Sequence, residues 1–122
     1  MKVWTTYFAN VKNLNTDQIM PIAICGKAIQ GWSWPEYKKL APSWSIYDEH
    51  KNKGGTLERY TERFVVERLG VLNREQVLRD LEILAQGRPE IALVCYEKPG
   101  DFCHRHIVAA WLGPEVTEYP SS

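Results

Sequence analysis

The residues of this 122-residue chain best suited to chemistry lie together: Cys103, His104 and Arg105 follow Cys95 and Glu97 across a Pro99-Gly100 pair, with His106 just beyond. A thiol at a helix start beside cationic neighbours is stabilised as thiolate, which makes Cys103 a candidate nucleophile. The plainer alternative is a small residue packed on Ile107. His104 is a candidate general base, or a donor to an oxyanion or phosphate; otherwise it is a helix-start histidine bonded to a backbone carbonyl. Arg105 can hold a phosphate or carboxylate with two parallel hydrogen bonds, or pair structurally with an acid, for which Glu97 is the obvious partner. Glu97 is in turn a candidate general acid/base, or the group that orients Arg105. Cys95 and Cys25 end apolar runs and read first as structural. No metal site is expected, because His104 and His106 point roughly 200° apart on a helix and no Cys-x-x-Cys pair exists. A Cys95–Cys103 redox couple is disfavoured, since this spacing is not the thioredoxin pattern. No cofactor is expected.

These residues need a strand, a tight loop and a helix to position them. Residues 91–96, Ile-Ala-Leu-Val-Cys-Tyr, read as a buried strand. Residues 103–112 read as a helix with Ile107, Val108, Trp111 and Leu112 facing inward. Upstream, residues 2–8 and 19–25 read as strands, the second with Pro21 at its start, and residues 10–17 as a loop. Between 31 and 47 the chain carries Trp32, Trp34, Tyr37, Trp44 and Tyr47 among Pro35, Pro42 and Lys38-Lys39. Prolines and the lack of a steady period predict a long irregular segment, whose rings either plug onto the core or flank a planar ligand. Thr56 is placed to open a helix over 56–69, with Leu57, Tyr60, Phe64, Val65 and Arg68 on one face. Asn73 opens another, with Gln76 as the reciprocal member of a capping box, Val77, Leu78, Leu81, Leu84 and Ala85 as its stripe, and Gly87 to end it. Residues 116–119 can add a short strand.

Helices between strands predict an α/β layered fold: one compact domain over 1–122 with a small, mostly parallel, Rossmann-like sheet. In such sheets ligands bind beyond the carboxyl ends of the strands, and a helix starting there favours anions.

Composition narrows the function classes. Fifteen Lys plus Arg balance fifteen Asp plus Glu, and the sequence pI is about 6.8, which argues against binding nucleic acid by charge. No apolar run reaches the ~20 residues of a membrane span, and the first residues do not read as a signal peptide. Three cysteines, an odd number, predict free thiols and a cytoplasmic location. The phosphate loop, the Gly-x-Gly-x-x-Gly fingerprint, the Gly-x-Ser-x-Gly elbow and His-Glu-x-x-His are all missing, which removes most support for ATPases, Rossmann dehydrogenases, α/β-hydrolases and zincins.

Cys95-Tyr96-Glu97-Lys98-Pro99 followed by Cys103-His104-Arg105 resembles the signature of domain-of-unknown-function family 488, a group of small bacterial and phage proteins. Tyr7, Ile24-Cys25-Gly26, Leu40-Ala41-Pro42-Ser43 and Tyr60 fit the same pattern, so the resemblance covers nearly the whole chain. It implies a compact α/β domain with the motif at a strand-to-helix junction, and selects Cys95, Glu97, Cys103, His104 and Arg105 as functional positions. Cys25 stands where many relatives carry a polar residue. The resulting expectation is a small enzyme that binds an anionic, nucleotide-like substrate at residues 94–106. Cys103, His104 and Glu97 would be catalytic. Arg105, Cys95, Tyr60, Trp32 and Trp34 would contact substrate, with Trp44 also available to flank a base. The rival reading is a non-catalytic binding or regulatory module in which the motif is structural. A homodimer burying the aromatic segment is a further expectation.

Overall fold

A computed structural model describes every residue except Pro99 and Ser122, so the proline of the expected Pro-Gly loop lies outside the described residues. Four strands, β1 (Lys2–Tyr7), β2 (Ile19–Ala23), β3 (Glu90–Cys95) and β4 (Thr117–Glu118), form one sheet in the order β2-β3-β1-β4, and every pair is parallel. β3 lies between two neighbours and both of its faces are covered, which is why Ile91 to Cys95 are all buried without polar alternation. The register sets Tyr7 opposite Cys95 and Ala23 opposite Val94, so three strands end level at one edge.

One face of the sheet carries Val3, Met20, Ile22, Ile24, Ile91 and Leu93. They pack with Phe64 and with Ile46, Tyr60, Val77, Leu81, Val108 and Leu112 from four helices, α1 (Trp44–Asn52), α2 (Leu57–Arg63), α3 (Arg74–Leu84) and α4 (His104–Leu112). Residues of alternate register, Ala23, Ala92 and Val94, belong to two smaller clusters with Phe8, Leu14, Ile19 and Cys25. The fold is thus α/β around a small parallel sheet, as its sequence pattern predicts.

Local departures have local causes. Pro21 is third in β2 rather than first, and β2 is an edge strand, where a residue without an N–H costs the ladder little. The stretch expected as a loop over 10–17 begins inside a 3₁₀ turn, Phe8–Asn13, in which buried Asn10 donates to Thr6 Oγ1 at 3.0 Å. Residues 31–47 are not irregular throughout, because α1 begins within them. Ser43 caps it, its Oγ accepting from the Ile46 N–H at 3.3 Å. Thr56 caps α2 as expected, with Oγ1 accepting from the Arg59 N–H at 3.1 Å. The helix then runs on as a π turn, Phe64–Arg68, and a 3₁₀ turn, Leu69–Val71. Asn73 caps α3 through the Gln76 N–H at 3.0 Å, but the Gln76 side chain donates to Asp80 at 2.9 Å, so only half of the capping box forms. Gly87, at φ 86°, lies just beyond the end of α3 in a conformation that glycine adopts freely.

The cysteines depart most from expectation. The turn between β3 and α4 brings the Cα atoms of Cys95 and Cys103 to 7.3 Å, and their sulfurs are joined as a disulfide. Cys25, buried at the end of β2, is the free thiol among the described residues. Sequence spacing reported eight residues of separation; the strand-turn-helix path removes almost all of it in space.

Candidate functional site

A cleft of about 1140 Å³ opens where β2 and β3 end. Known ligand pockets run from about 300 to 1,000 Å³, so the space is ample for a small organic substrate. Its floor is Cys95, Cys103 and His104, its near rim is Tyr96, Glu97 and Asp101, and its side is Cys25, Gly26 and Lys27 beyond β2. The far wall is α1, which contributes Trp44, Tyr47, His50 and Lys51, with Tyr60 and Phe102 closing the inner end.

The floor is held by buried polar contacts. His104 sits under the core face, its ring edge-on to Phe64 at 5.6 Å. Its Nε2–H donates to the Ile24 carbonyl at 2.6 Å, which fixes the tautomer and leaves Nδ1 turned towards Cys103 Sγ at 3.8 Å. Burial is the main cause that pulls its pKa down to about 4, so the ring is neutral at pH 7. His104 is thus the helix-start histidine bonded to a backbone carbonyl, and its other ring nitrogen faces the Cys103 sulfur.

Arg105 does not line the cleft. Its side chain is completely buried, with Nε and Nη2 donating to the two carboxylate oxygens of Glu118 at 3.0 and 2.8 Å. Nη1 donates to the backbone carbonyl of Glu97 and to Cys95 Sγ, the latter at 3.3 Å. The sequence expectation of an Arg105–Glu97 ion pair is thus corrected. The partner carboxylate comes from β4, which pairs with β1 two strands from β2, and Glu97 contributes only its carbonyl. Each of the three guanidinium nitrogens is hydrogen-bonded inside the protein and the group is fully buried, which puts it out of reach of a substrate phosphate. What Arg105 does is clamp the end of β3 to α4 and β4, and so set the loop that carries Glu97.

Trp32 and Trp34 are also placed away from the cleft lining. Trp32 packs edge-on against Phe8 at 5.0 Å and donates to the Pro35 carbonyl at 3.1 Å, on one of the smaller clusters. Trp34 packs against the main core with Arg88 over its ring at 5.8 Å. They belong to the plug alternative for this segment. Tyr60 does reach the cleft, buried between Phe102 at 5.0 Å and His50 at 5.4 Å, and its burial pushes the phenol pKa up.

The α1 wall was only partly legible. Trp44, Tyr47 and Lys51 stand at i, i+3 and i+7, one face of a helix, once Ser43 is taken as the cap. Two prolines nearby hid that signal. Trp44 is 70% exposed and tilted against Tyr47 at 5.6 Å, so large ring surface stands open to the cleft. α1 is held on α2 by Glu49, which accepts from Arg63 at 2.7 Å and from Arg59 at 3.2 Å. The Arg63 hydrogen bond is the first cause that lowers the Glu49 pKa. His50 Nδ1 meets the Gly55 carbonyl at 3.0 Å and turns its ring between Tyr60 and Phe102.

Donor atoms of Cys95, Cys103 and His104 lie within 4.8 Å of one another. With the sulfurs bonded to each other there are no thiolates to offer, and thiolate is the species that binds metal. His106, two residues beyond His104, is exposed and outside this group, as its helical spacing requires.

The match that decides the family covers residues 11–115, to the model DUF488-N3a, described as the active DUF488-N3 subclade. The chain belongs to the DUF488 family. No curated protein and no solved structure matches it. Within this DUF488 chain the match spans the cleft whole, from the β2 end through α1 to α4. Among the described residues, no helix is long and apolar enough to cross a membrane.

Proposed function

We propose that this DUF488 protein is a small enzyme whose cleft binds an anionic, ring-bearing substrate of the nucleotide class. The observation that carries the reading is the convergence, in one cleft beyond the strand ends, of exposed rings, two lysines and a floor of the Cys95–Cys103 sulfurs beside the His104 imidazole. Trp44 and Tyr47 offer faces on which a base can stack, and stacking is tolerant of base identity. Anion binding moves from Arg105, which is internally committed, to Lys27 and Lys51 at the two sides and to the start of α4 between them. Glu97 and Asp101 place two carboxylates at the same rim, so the site suits a substrate carrying both a negative group and hydrogen-bond donors. In the reduced protein Cys103 is the nucleophile, His104 Nδ1 accepts its proton, and Glu97 serves as acid/base at the rim. A cytoplasmic setting and a bacterial or phage source belong to the same proposal.

Thermal-shift titration with nucleoside monophosphates and sugar phosphates tests it. At least one compound raises the melting temperature of the wild type, and Trp44→Ala and Lys51→Ala abolish the shift while Trp32→Ala keeps it. A panel that leaves the wild type unmoved, or a shift lost in Trp32→Ala and kept in Trp44→Ala, overturns the assignment.

A further inference from the structure

His104 poses a problem in the disulfide form. Its Nε2–H is given to the Ile24 carbonyl, so in the neutral ring Nδ1 has a bare lone pair. The contact that Nδ1 makes is with Cys103 Sγ, and a disulfide sulfur has no hydrogen to donate. Buried polar atoms are rarely left without a partner. Reduction supplies one: as a thiol, Cys103 S–H donates to Nδ1. Cys95 has the complementary neighbour. Arg105 Nη1 donates to its sulfur at 3.3 Å from a fully buried guanidinium, a contact that strengthens when the sulfur carries negative charge. The two sulfurs are thus prepared for different protonation states, Cys103 as thiol and Cys95 as thiolate. Both line the cleft, with Cys103 the more open of the two at 6% exposed against 1%.

We propose that Cys95 and Cys103 are a reversible thiol–disulfide couple that exchanges with a small thiol entering the cleft, Cys103 being the sulfur attacked and Cys95 the leaving thiolate. The incoming thiolate forms a bond to Cys103 Sγ as the Cys95–Cys103 bond breaks, and the electron pair departs on Cys95 Sγ beside Arg105. A second thiolate attacks the small-molecule sulfur of the mixed disulfide and releases Cys103, which takes one proton, keeps it as S–H and hydrogen-bonds through it to His104 Nδ1. Two thiols are oxidised to one disulfide, the protein gains two electrons, and the second proton goes to solvent because Cys95 remains a thiolate. Leaving-group stability governs the rate of such exchange, which gives the Arg105 contact a chemical role besides its structural one. The same reaction controls whether Cys103 is available as a nucleophile.

The inference uses the cleft only as an entry path and does not depend on nucleotide binding, so loss of either reading leaves the other standing. Glutathione redox buffers followed by alkylation and intact-mass measurement test it on the whole protein. The wild type passes through a single two-electron transition at Cys95 and Cys103, while Cys25, whose thiol donates to the Lys27 carbonyl at 3.3 Å and is held protonated by burial, takes no part. Quenching the wild type early in its reduction traps glutathione on Cys103 with Cys95 as the alkylated thiol, and that adduct is stable in Cys95→Ser. In Cys103→Ser the Cys95 thiol is alkylated at a pH well below the ordinary thiol value of about 8.5, as the Arg105 contact requires. Far-ultraviolet circular dichroism of both variants establishes that they are folded, and Cys95→Ala repeats the adduct measurement should the serine not fold. A pair that stays reduced, or stays oxidised, across the whole buffer range overturns the proposal. So does glutathione trapped on Cys95 rather than Cys103 when reduction of the wild type is quenched early. A metal ion retained on the reduced protein in native mass spectrometry also overturns it, because the three donors then form a metal site.

Discussion

On one side of the cleft, Arg105, His104 and Cys95 lie inside the protein: Arg105 donates to Glu118, Glu97 and Cys95, and His104 Nε2 donates to Ile24. On the other side, Trp44 stands 70% exposed on a helix of nine residues, braced to α2 through a half-buried ion pair of Glu49 with Arg63 and a more exposed one with Arg59. The motif side fixes geometry and the α1 side offers surface. A motif of functional appearance can thus be partly architecture: Arg105 is spent inside the protein, while the exposed ring surface of the cleft lies on α1.

That contrast predicts a gradient of effects. Arg105→Leu strands the Glu118 carboxylate and breaks a bidentate pair, so urea denaturation shows a loss of about 3–5 kcal/mol. A loss below about 1 kcal/mol would mean that the clamp is not what holds the motif side.

Acid sharpens the same comparison. His104 is held at about 4 in the folded protein against an ordinary 6.5, so the unfolded chain binds more protons between those values. Stability is full above about pH 6.5 and falls as pH drops towards 4, by about 3 kcal/mol for a shift of this size. His104→Gln flattens that part of the profile. An unchanged slope in the variant would remove His104 from the buried set.

Reduction comes next. Opening the Cys95–Cys103 link releases an eight-residue closure, worth about 2–3 kcal/mol by chain entropy. The loss seen in denaturant with a thiol reductant is correspondingly smaller if Cys103 S–H gains its bond to His104. The variant Cys103→Ser, which keeps a donor for Nδ1, should match the reduced wild type.

Away from the cleft, Tyr37 donates to Asp80 at 2.6 Å, and Tyr37→Phe costs about 1 kcal/mol. The smallest change is on the open wall: Trp44→Ala alters stability by less than about 0.5 kcal/mol, while removing the ligand-induced thermal shift. A large stability loss there would make α1 a structural wall and erase the contrast.

Much of the frame was legible in the amino-acid sequence. The apolar runs before Cys95 and Cys25, the caps at Thr56 and Asn73 and the stripe of α3 are local signals, and each found its element. Cys95, Glu97, Cys103 and His104 come together at one cleft because a strand, a short turn and a helix leave little choice of path. Ser43 was also a local signal, hidden by the prolines around it, and with it went Trp44, Tyr47 and Lys51 as one helix face. The partner of Arg105 could not be read in this way. Glu118 lies 13 residues on, in a two-residue strand whose place beside β1 depends on the whole sheet. Trp32 and Trp44 are equally aromatic, and only the packing of Phe8 against one and the exposure of the other divides plug from wall. What the sequence by itself determined is the set of elements and the chemistry carried at their ends, because periodicity, caps and residue type act over a few positions. Tertiary structure alone decided which of those groups are spent inside the protein and which face the cleft, because burial and pairing are set by neighbours far away along the chain.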